Sequence, residues 1–359
     1  MAAELASERK DDHVRLAAAQ QKETPRPNGW DDVRFVHHAL AGVDADVVDL
    51  GVEVAGARWA LPFYVNAMTG GSASTGAINR DLAIAARETG VAIASGSLSI
   101  ALDNPELMST FRVIRDENPD GFVMANVGIE RSPEDARRAV DALQADALQV
   151  HVNAMQETVM PEGSRSFSSW PASLEAIVAA VEVPVVVKEV GFGLSAATLS
   201  RLAATGVRFA DVSGVGGTDF MRIENDRRSG RDYAYLAGWG QSAVECLLEA
   251  PADAPVLLAS GGVRTPLDVA RGLALGARAV GASGSFLSVV LDGGAEALIS
   301  RIREWSDHLT ALHSLVGATG PEDLRRTDLI IHGRAAEFAR ARGIDIDSLA
   351  RRAGGKDAR

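Results

Sequence analysis

The run His151-Val152-Asn153-Ala154-Met155-Gln156-Glu157 gathers a proton carrier, two side-chain amides and a carboxylate within one short stretch. If it ends a strand, alternation puts His151 and Asn153 on the same face. A carboxylate beside a phosphorylated ligand usually works through Mg2+, which prefers oxygen ligands and keeps several waters, so Glu157 is the candidate metal ligand. Alone the run decides little, because a histidine at a strand end is often only a satisfied hydrogen-bonding residue. Lys188 follows Val185-Val186-Val187, and an amine at the end of so apolar a strand is costly without an anion or acceptor beside it. A surface pair with Glu189 is the plainer alternative, but neighbours on a strand face opposite sides. An inward cation that stabilises a phosphate or an electron-rich ring fits better.

Two glycine-bearing stretches could cradle phosphate: Ser260-Gly261-Gly262-Val263-Arg264 and Gly281-Ala282-Ser283-Gly284. Glycine lets backbone N–H groups approach phosphate oxygens; otherwise these residues make tight turns and nothing more. A further basic set, Arg9, Lys10 and His13, reads by itself as a solvated helix face.

These residues need a scaffold, and the chain spells one. Eight apolar or β-branched runs recur at Pro62–Met68, Val91–Ser95, Gly121–Asn126, Ala147–Asn153, Pro184–Val190, Phe209–Gly214, Pro255–Gly262 and Ala277–Ser283. Between them lie helical segments at Ala77–Thr89, Pro105–Glu117, Ser132–Gln144, Ser173–Val181, Ser195–Thr205, Gly240–Glu249 and Pro266–Leu275. Strands alternating with helices predict parallel strands with helical crossovers, and eight closes a (β/α)8 TIM barrel. Ser132-Pro133 and Thr265-Pro266 read as helix starts; Gly90, Gly206 and Gly276 fall where helices should stop. In such a barrel chemistry collects at the C-terminal strand ends, where the residues above would lie, apart from the Arg9, Lys10 and His13 set. Residues 1–60 read as an N-terminal arm leading into the barrel, 61–295 as the barrel, and 296–359 as C-terminal helices packed on it, with a charged end expected to fray. An insertion from Gly214 to Gly238 and an amphipathic helix over Ala295–Leu312 complete the expectation.

Composition narrows the partners. With 36 Lys+Arg against 48 Asp+Glu the net charge is −12, so the average field repels nucleic acid and an anionic substrate needs a local basic site. One cysteine, Cys246, cannot form an intrachain disulfide and fits a reducing cytoplasm. No signal-peptide pattern and no run of about 18 apolar residues argue for export or membrane insertion.

Taken in order, RKDDH at 9–13, MTGG at 68–71, Gly96-Ser97, Gln156-Glu157 with PEG at 161–163, VKEVGFG at 187–193, DVSGVGGTDF at 211–220 and SGGVR at 260–264 resemble the type 2, flavin-dependent isopentenyl-diphosphate isomerases. SGGVR is common to many FMN barrels; Gln-Glu followed by PEG and KEVG is far more specific. The resemblance spans nearly the whole chain. It implies FMN held by Ala67, Met68, Thr69, Ser97, Asn126, Lys188, Ser213, Thr218, Gly261, Gly262, Val263, Arg264, Ser283 and Gly284. It implies a diphosphate substrate met by Arg9, Lys10, His13, His151, Asn153 and Gln156, with Mg2+ on Glu157. The arm would then be a phosphate clamp that folds over the mouth. Catalysis would rest on Gln156, Lys188 and His151 beside reduced FMN, with NADPH as reductant, and the protein would be a homo-oligomer, tetramer or octamer. Two positions depart from the family pattern: Leu98-Ser99 stands where glutamine or glutamine-arginine is frequent, which bears on an arginine contact to the diphosphate, and Ser164 stands where aspartate commonly follows PEG. The alternative is an FMN-dependent 2-hydroxy-acid oxidase-like oxidoreductase, which shares the barrel and the phosphate loop. A phosphate-binding barrel without catalysis is a third, remoter class.

Overall fold

The computed structural model describes residues 2–23 and 28–353, with side chains from Lys10 onward. Eight short parallel strands close on themselves. They are β1 Phe63–Val65, β2 Ala92–Ala94, β3 Val123–Gly128, β4 Ala147–His151, β5 Val185–Lys188, β6 Phe209–Asp211, β7 Val256–Ser260 and β8 Val280–Ala282. Closure runs through β8 and β1, where Val280 pairs with Phe63 and Ala282 with Val65. Every expected strand run overlaps one of these strands, and seven contain theirs whole; β3 runs on past Asn126 to Gly128. Their near-continuous apolar sequence follows from burial on both faces, since one side lines the barrel and the other meets the helices.

The helices begin where side-chain acceptors allow. Ser132 accepts from the Asp135 N–H ahead of Pro133–Leu143, and Thr265 from the Asp268 N–H ahead of Pro266–Ala274. Gly90 closes Ala73–Thr89 at φ 70°, in the left-handed region. The helix expected from Gly240 starts instead at Ala243, because Ser242 and Glu245 form a reciprocal cap there and Gly240 takes φ 108°. The 214–238 insertion is more ordered than its sequence indicated: Asp219 caps a helix over Phe220–Arg227. The C-terminal helix reaches from Gly284 to Val316, broken at Gly293 and Gly294, and its second part begins where the amphipathic pattern did and runs past Leu312. Residues 354–359, the end expected to fray, lie outside the described residues.

Two devices went unread in the sequence. Val52–Val54 and Ala57–Trp59 form a hairpin across a turn with Ala55 at φ 51° and Gly56 at φ 82°, the backbone twist that tight hairpins favour. Its Val52, Val54 and Trp59 pack on the inward side chains Tyr64, Met124, Val186, Phe209 and Leu258, so an apolar plug seals the N-terminal end of the barrel. Val33–Phe35 pairs antiparallel with Leu329–Ile331 and ties the arm to the C-terminal segment. Trp59 is nearly fully buried, 5.6 Å from the Tyr64 ring and 5.1 Å from Phe122. We expect Trp59→Ala to cost roughly 3–5 kcal/mol in chemical denaturation; a loss within experimental error would show that the hairpin is not part of the core.

Candidate active site

Above the plug the barrel interior turns polar. Lys188 sits level with His151 on one side and Asp211 on the other. The fully buried Asp211 carboxylate accepts from the Tyr64 hydroxyl at 2.8 Å, Asn66 Nδ2 at 2.9 Å and the Ser260 hydroxyl at 2.8 Å, while its other oxygen takes the Ser213 N–H at 3.1 Å. Burial and the Asp211 charge hold the Tyr64 phenol well above its ordinary value, so it donates. Direction then propagates. Asn66 gives its amine to Asp211, and its Oδ1 accepts from the Ala67 N–H at 2.8 Å and from Gln149 Nε2 at 3.2 Å. Gln149 Oε1 accepts from Asn126 Nδ2 at 3.0 Å, and Asn126 Oδ1 meets His151 Nδ1 at 2.8 Å. A chain of amides with one polarity therefore crosses the barrel and places the proton of neutral His151 on Nδ1, leaving the lone pair on Nε2. Burial first, then the charges of Lys188 and Lys10, push this ring down to about 3.

Burial also lowers the Lys188 amine, against the opposing charges of Asp211 and Glu189. Its Nζ donates to the Glu189 carbonyl at 2.7 Å and to the Ser213 hydroxyl at 3.4 Å. The Glu189 carboxylate turns away, as strand alternation requires, to accept the N–H groups of Val190, Gly191 and Phe192. Burial nonetheless raises it to about 7.

The C-terminal mouth opens into a cavity of about 600 Å³. All fourteen expected FMN contacts line it, from Ala67, Met68 and Thr69 past Ser97, Asn126 and Lys188 to Ser213, Thr218, the 261–264 loop and Ser283-Gly284. Gly261 and Gly262 take φ 96° and 69°. A Cβ on Gly261 would lie 1.9 Å from the Gly214 carbonyl oxygen, so this close approach demands glycine. The helix beginning at Gly284 has no side-chain cap, and its first N–H groups lack intrahelical acceptors. Arg264 lines the cavity as expected of the loop, with its charged end already engaged. Its guanidinium pairs with Asp31 and Asp268, and its N–H also donates to Asp268, so its donors brace the loop from within.

Across the cavity, Gln156 and Glu157 arrive on the short helix Ala154–Val159, and Asn153 immediately precedes it. Glu157 accepts from Asn153 Nδ2 and the Ser164 N–H, both at 2.9 Å. Gln156 Nε2 donates to Glu224 at 2.8 Å. Glu224 is a residue that the sequence reading did not single out: it lies in the charged stretch Arg222–Arg228, yet it is fully buried. Burial pushes its carboxyl up, but His13, Gln156 and Arg227 outweigh that and bring it to about 2. His13 Nε2 lies 3.0 Å from it. Asp211, Asn66 and Gln149 were also missed.

The N-terminal arm is the helix Ala2–Gln21, with Lys10 and His13 on the cavity. It is held at both sides of the mouth. Asp11 accepts from the Ser72 and Ser74 hydroxyls at 2.6 Å, and Gln20 exchanges two hydrogen bonds with the Asp219 backbone. The Arg9 side chain lies outside the described residues.

Set beside known proteins, residues 116–331 match the family described as FMN-dependent dehydrogenase. An isopentenyl-diphosphate delta-isomerase of Kitasatospora griseola is 60% identical over 98% of this chain and 97% of its own. Relatives of the same description in Streptomyces sp. (strain CL190) and Staphylococcus haemolyticus (strain JCSC1435) are 56% and 46% identical, over 96% and 94% of this chain and 95% and 97% of theirs. The chain belongs to the isopentenyl-diphosphate delta-isomerase family. Solved structures of a mandelate oxidase variant with a monooxide FMN adduct (TM-score 0.62, 19% identity, 89% of this chain and 92% of that one) and of a flavocytochrome b2 variant with benzoylformate (0.62, 21%, 83% and 75%) share the fold. At that identity they bear on architecture alone, whereas full-length identity to the isomerases separates this chain from the oxidase alternative. Among the described residues no helix is long and apolar enough to cross a membrane.

The amide chain makes a spectroscopic demand on this isomerase-family site. Nitrogen-15 spectra at pH 7 should show neutral His151 as the Nδ1–H tautomer, and an Nε2–H tautomer would contradict the relay. Between the ordinary value of 6.5 and about 3, the unfolded chain binds a proton at this ring that the folded chain refuses. The ring's contribution to stability therefore falls as pH drops through that window, and His151→Asn should flatten this part of the stability profile.

Proposed function

We propose that this chain interconverts isopentenyl diphosphate and dimethylallyl diphosphate, using FMN in its reduced form and Mg2+, with NADPH as reductant. The observation that carries the reading is one cavity with two anion-receptive walls. The glycine loop at 261–263 and the open helix start at Gly284 form one; Lys10, His13 and Asn153 form the other, with Glu157 beside them as the Mg2+ ligand. Two phosphorylated molecules, a cofactor and a substrate, fit that division, and the glycines of the 261–263 loop would offer backbone N–H groups to the first.

Moving a double bond between adjacent carbon pairs adds one proton and removes another, without net electron change. When bound, reduced FMN supplies proton-transfer chemistry at an unactivated alkene that ordinary side-chain acids do not protonate. The protein's own groups have narrower tasks. Lys188 places positive charge under the mouth, where it favours an electron-rich ring. Gln156, oriented by Glu224, presents its carboxamide to the hydrocarbon end and positions the reacting carbons. Among the described residues no cluster of three or more His, Cys, Asp or Glu could hold a metal alone, so Glu157 would share Mg2+ with diphosphate oxygens and water, as Mg2+ commonly requires. Lys10, His13, Asn153 and, through its side chain, Arg9 would grip the diphosphate as a handle whose binding energy orients the small reacting end. His151 becomes a diphosphate ligand only when protonated, so substrate binding there would take up a proton. The helical arm across the mouth limits water and strengthens these charges.

The reading also includes a reducing cytoplasm, supported by the lone, buried Cys246, whose thiol burial pushes well up, and a homo-oligomer, tetramer or octamer. The deciding assay is anaerobic turnover of isopentenyl diphosphate with FMN and Mg2+: activity should be absent with oxidised flavin and appear on adding NADPH. Activity without any flavin reduction would overturn the cofactor role. Gln156→Ala should lower kcat by roughly 10²-fold or more, and unchanged turnover would remove it from the mechanism. Glu157→Gln should raise the Mg2+ concentration needed for half-maximal rate.

A further inference from the structure

We propose that Asn28 and Trp30, which precede the barrel in sequence, set the anion-binding geometry of the 261–263 loop by engaging two successive peptide carbonyls in hydrogen bonds of their own, so that neither is presented to an anion. The proposal rests on reading the cavity as an FMN site. Trp30 Nε1 donates to the Gly261 carbonyl at 2.9 Å, and Asn28 Nδ2 donates to the Gly262 carbonyl at 2.7 Å. In a trans peptide the C=O and the following N–H point in opposite directions, and the described residues contain no cis peptide. Fixing the Gly261 carbonyl therefore aims the Gly262 N–H the other way, and fixing the Gly262 carbonyl does the same for Val263. Among the described residues no acceptor meets either N–H.

An external clamp is needed here because of glycine. Gly261 and Gly262 both hold positive φ, and with no Cβ on either side the peptide between them can turn over at little cost. A turned peptide would present a carbonyl oxygen to a phosphate. Nothing within the loop forbids that; the two donors from the arm do. Their own orientation is fixed. Asn28 Oδ1 accepts the Trp30 N–H at 3.1 Å, which commits its amine to Gly262. Trp30 is buried, with its ring edge against Gly272 of the helix that follows the loop. Gly29 between them lets the pair approach, since a Cβ there would lie 2.6 Å from Ser242 Cβ. Asn28 and Trp30 are thus positioning residues: they touch the loop, and the loop's N–H groups would touch the phosphate.

Riboflavin separates this role from a merely structural one, because it carries the same ring without the phosphate. Apoprotein titrated with FMN and with riboflavin, by flavin fluorescence, gives both dissociation constants. Trp30→Phe keeps most of the packing and removes the donor. We expect FMN affinity to fall roughly 5-fold with riboflavin affinity unchanged, while the smaller ring lowers the thermal midpoint. Asn28→Ala should show the same selective loss and serves if Trp30→Phe does not fold. Equal weakening of both flavins, or no change in FMN affinity, would overturn the proposal. A failure of the unsubstituted protein to bind FMN at all would instead overturn the reading of the site, and the proposal with it.

Discussion

The Asp211 carboxylate is buried at the centre of a closed barrel, above an apolar plug and beneath the mouth, and everything around it has to donate. Tyr64, Asn66, Ser260 and the Ser213 N–H do so, from two other strands and from the end of its own. Because a carboxylate cannot return a proton in such bonds, each neighbouring amide is forced into one orientation. The constraint passes through Asn66, Gln149 and Asn126 to the ring of His151. A single buried charge thereby fixes the polarity of a whole layer of side chains, and the same charge opposes the loss of the proton from Lys188. A partly satisfied version of this layer would be costly, which gives selection for full pairing a physical basis independent of any ligand.

The mouth is built on the opposite principle. Its glycine-rich ends leave backbone donors available instead of pairing them, in a protein whose net charge of −12 repels anions on average. Local donors and the Lys10 and His13 side chains carried by the arm reverse that field within one cavity. The segment 28–31 braces the 261–264 loop: Asn28 and Trp30 hold carbonyls, and Asp31 takes the Arg264 guanidinium. The arm therefore contributes twice, as a helix over the opening and as a support for that loop.

Much of this was legible in the residues. Fully buried parallel strands read as runs such as Val185-Val186-Val187, and proline after Ser132 or Thr265 announces a helix start, because both signals are local. Lys188 was legible because an amine following such a run has few affordable places to go. What escaped had non-local causes. Glu224 lies in a charged stretch whose burial depends on His13, more than 200 positions earlier in the chain, and on the Gln156 loop. Gln149 looks like ordinary strand polarity until Asn66 and Asn126 flank it. The 52–59 hairpin has strands of three residues, too short for alternation to declare itself. Arg264 was read as part of a glycine loop, and its guanidinium pairs, with Asp31 and Asp268, depend on a residue more than 200 positions away.

The central claim is that these polar strand ends use a flavin to move protons and leave electrons where they were. Its most direct test is stoichiometry under argon: purified protein with FMN, Mg2+, a small measured amount of NADPH and a large excess of isopentenyl diphosphate, followed by proton NMR. Dimethylallyl diphosphate should accumulate far beyond the NADPH supplied, until the two isomers reach equilibrium. Product that stops at one equivalent per NADPH, or that carries a change in oxidation level, would contradict the account.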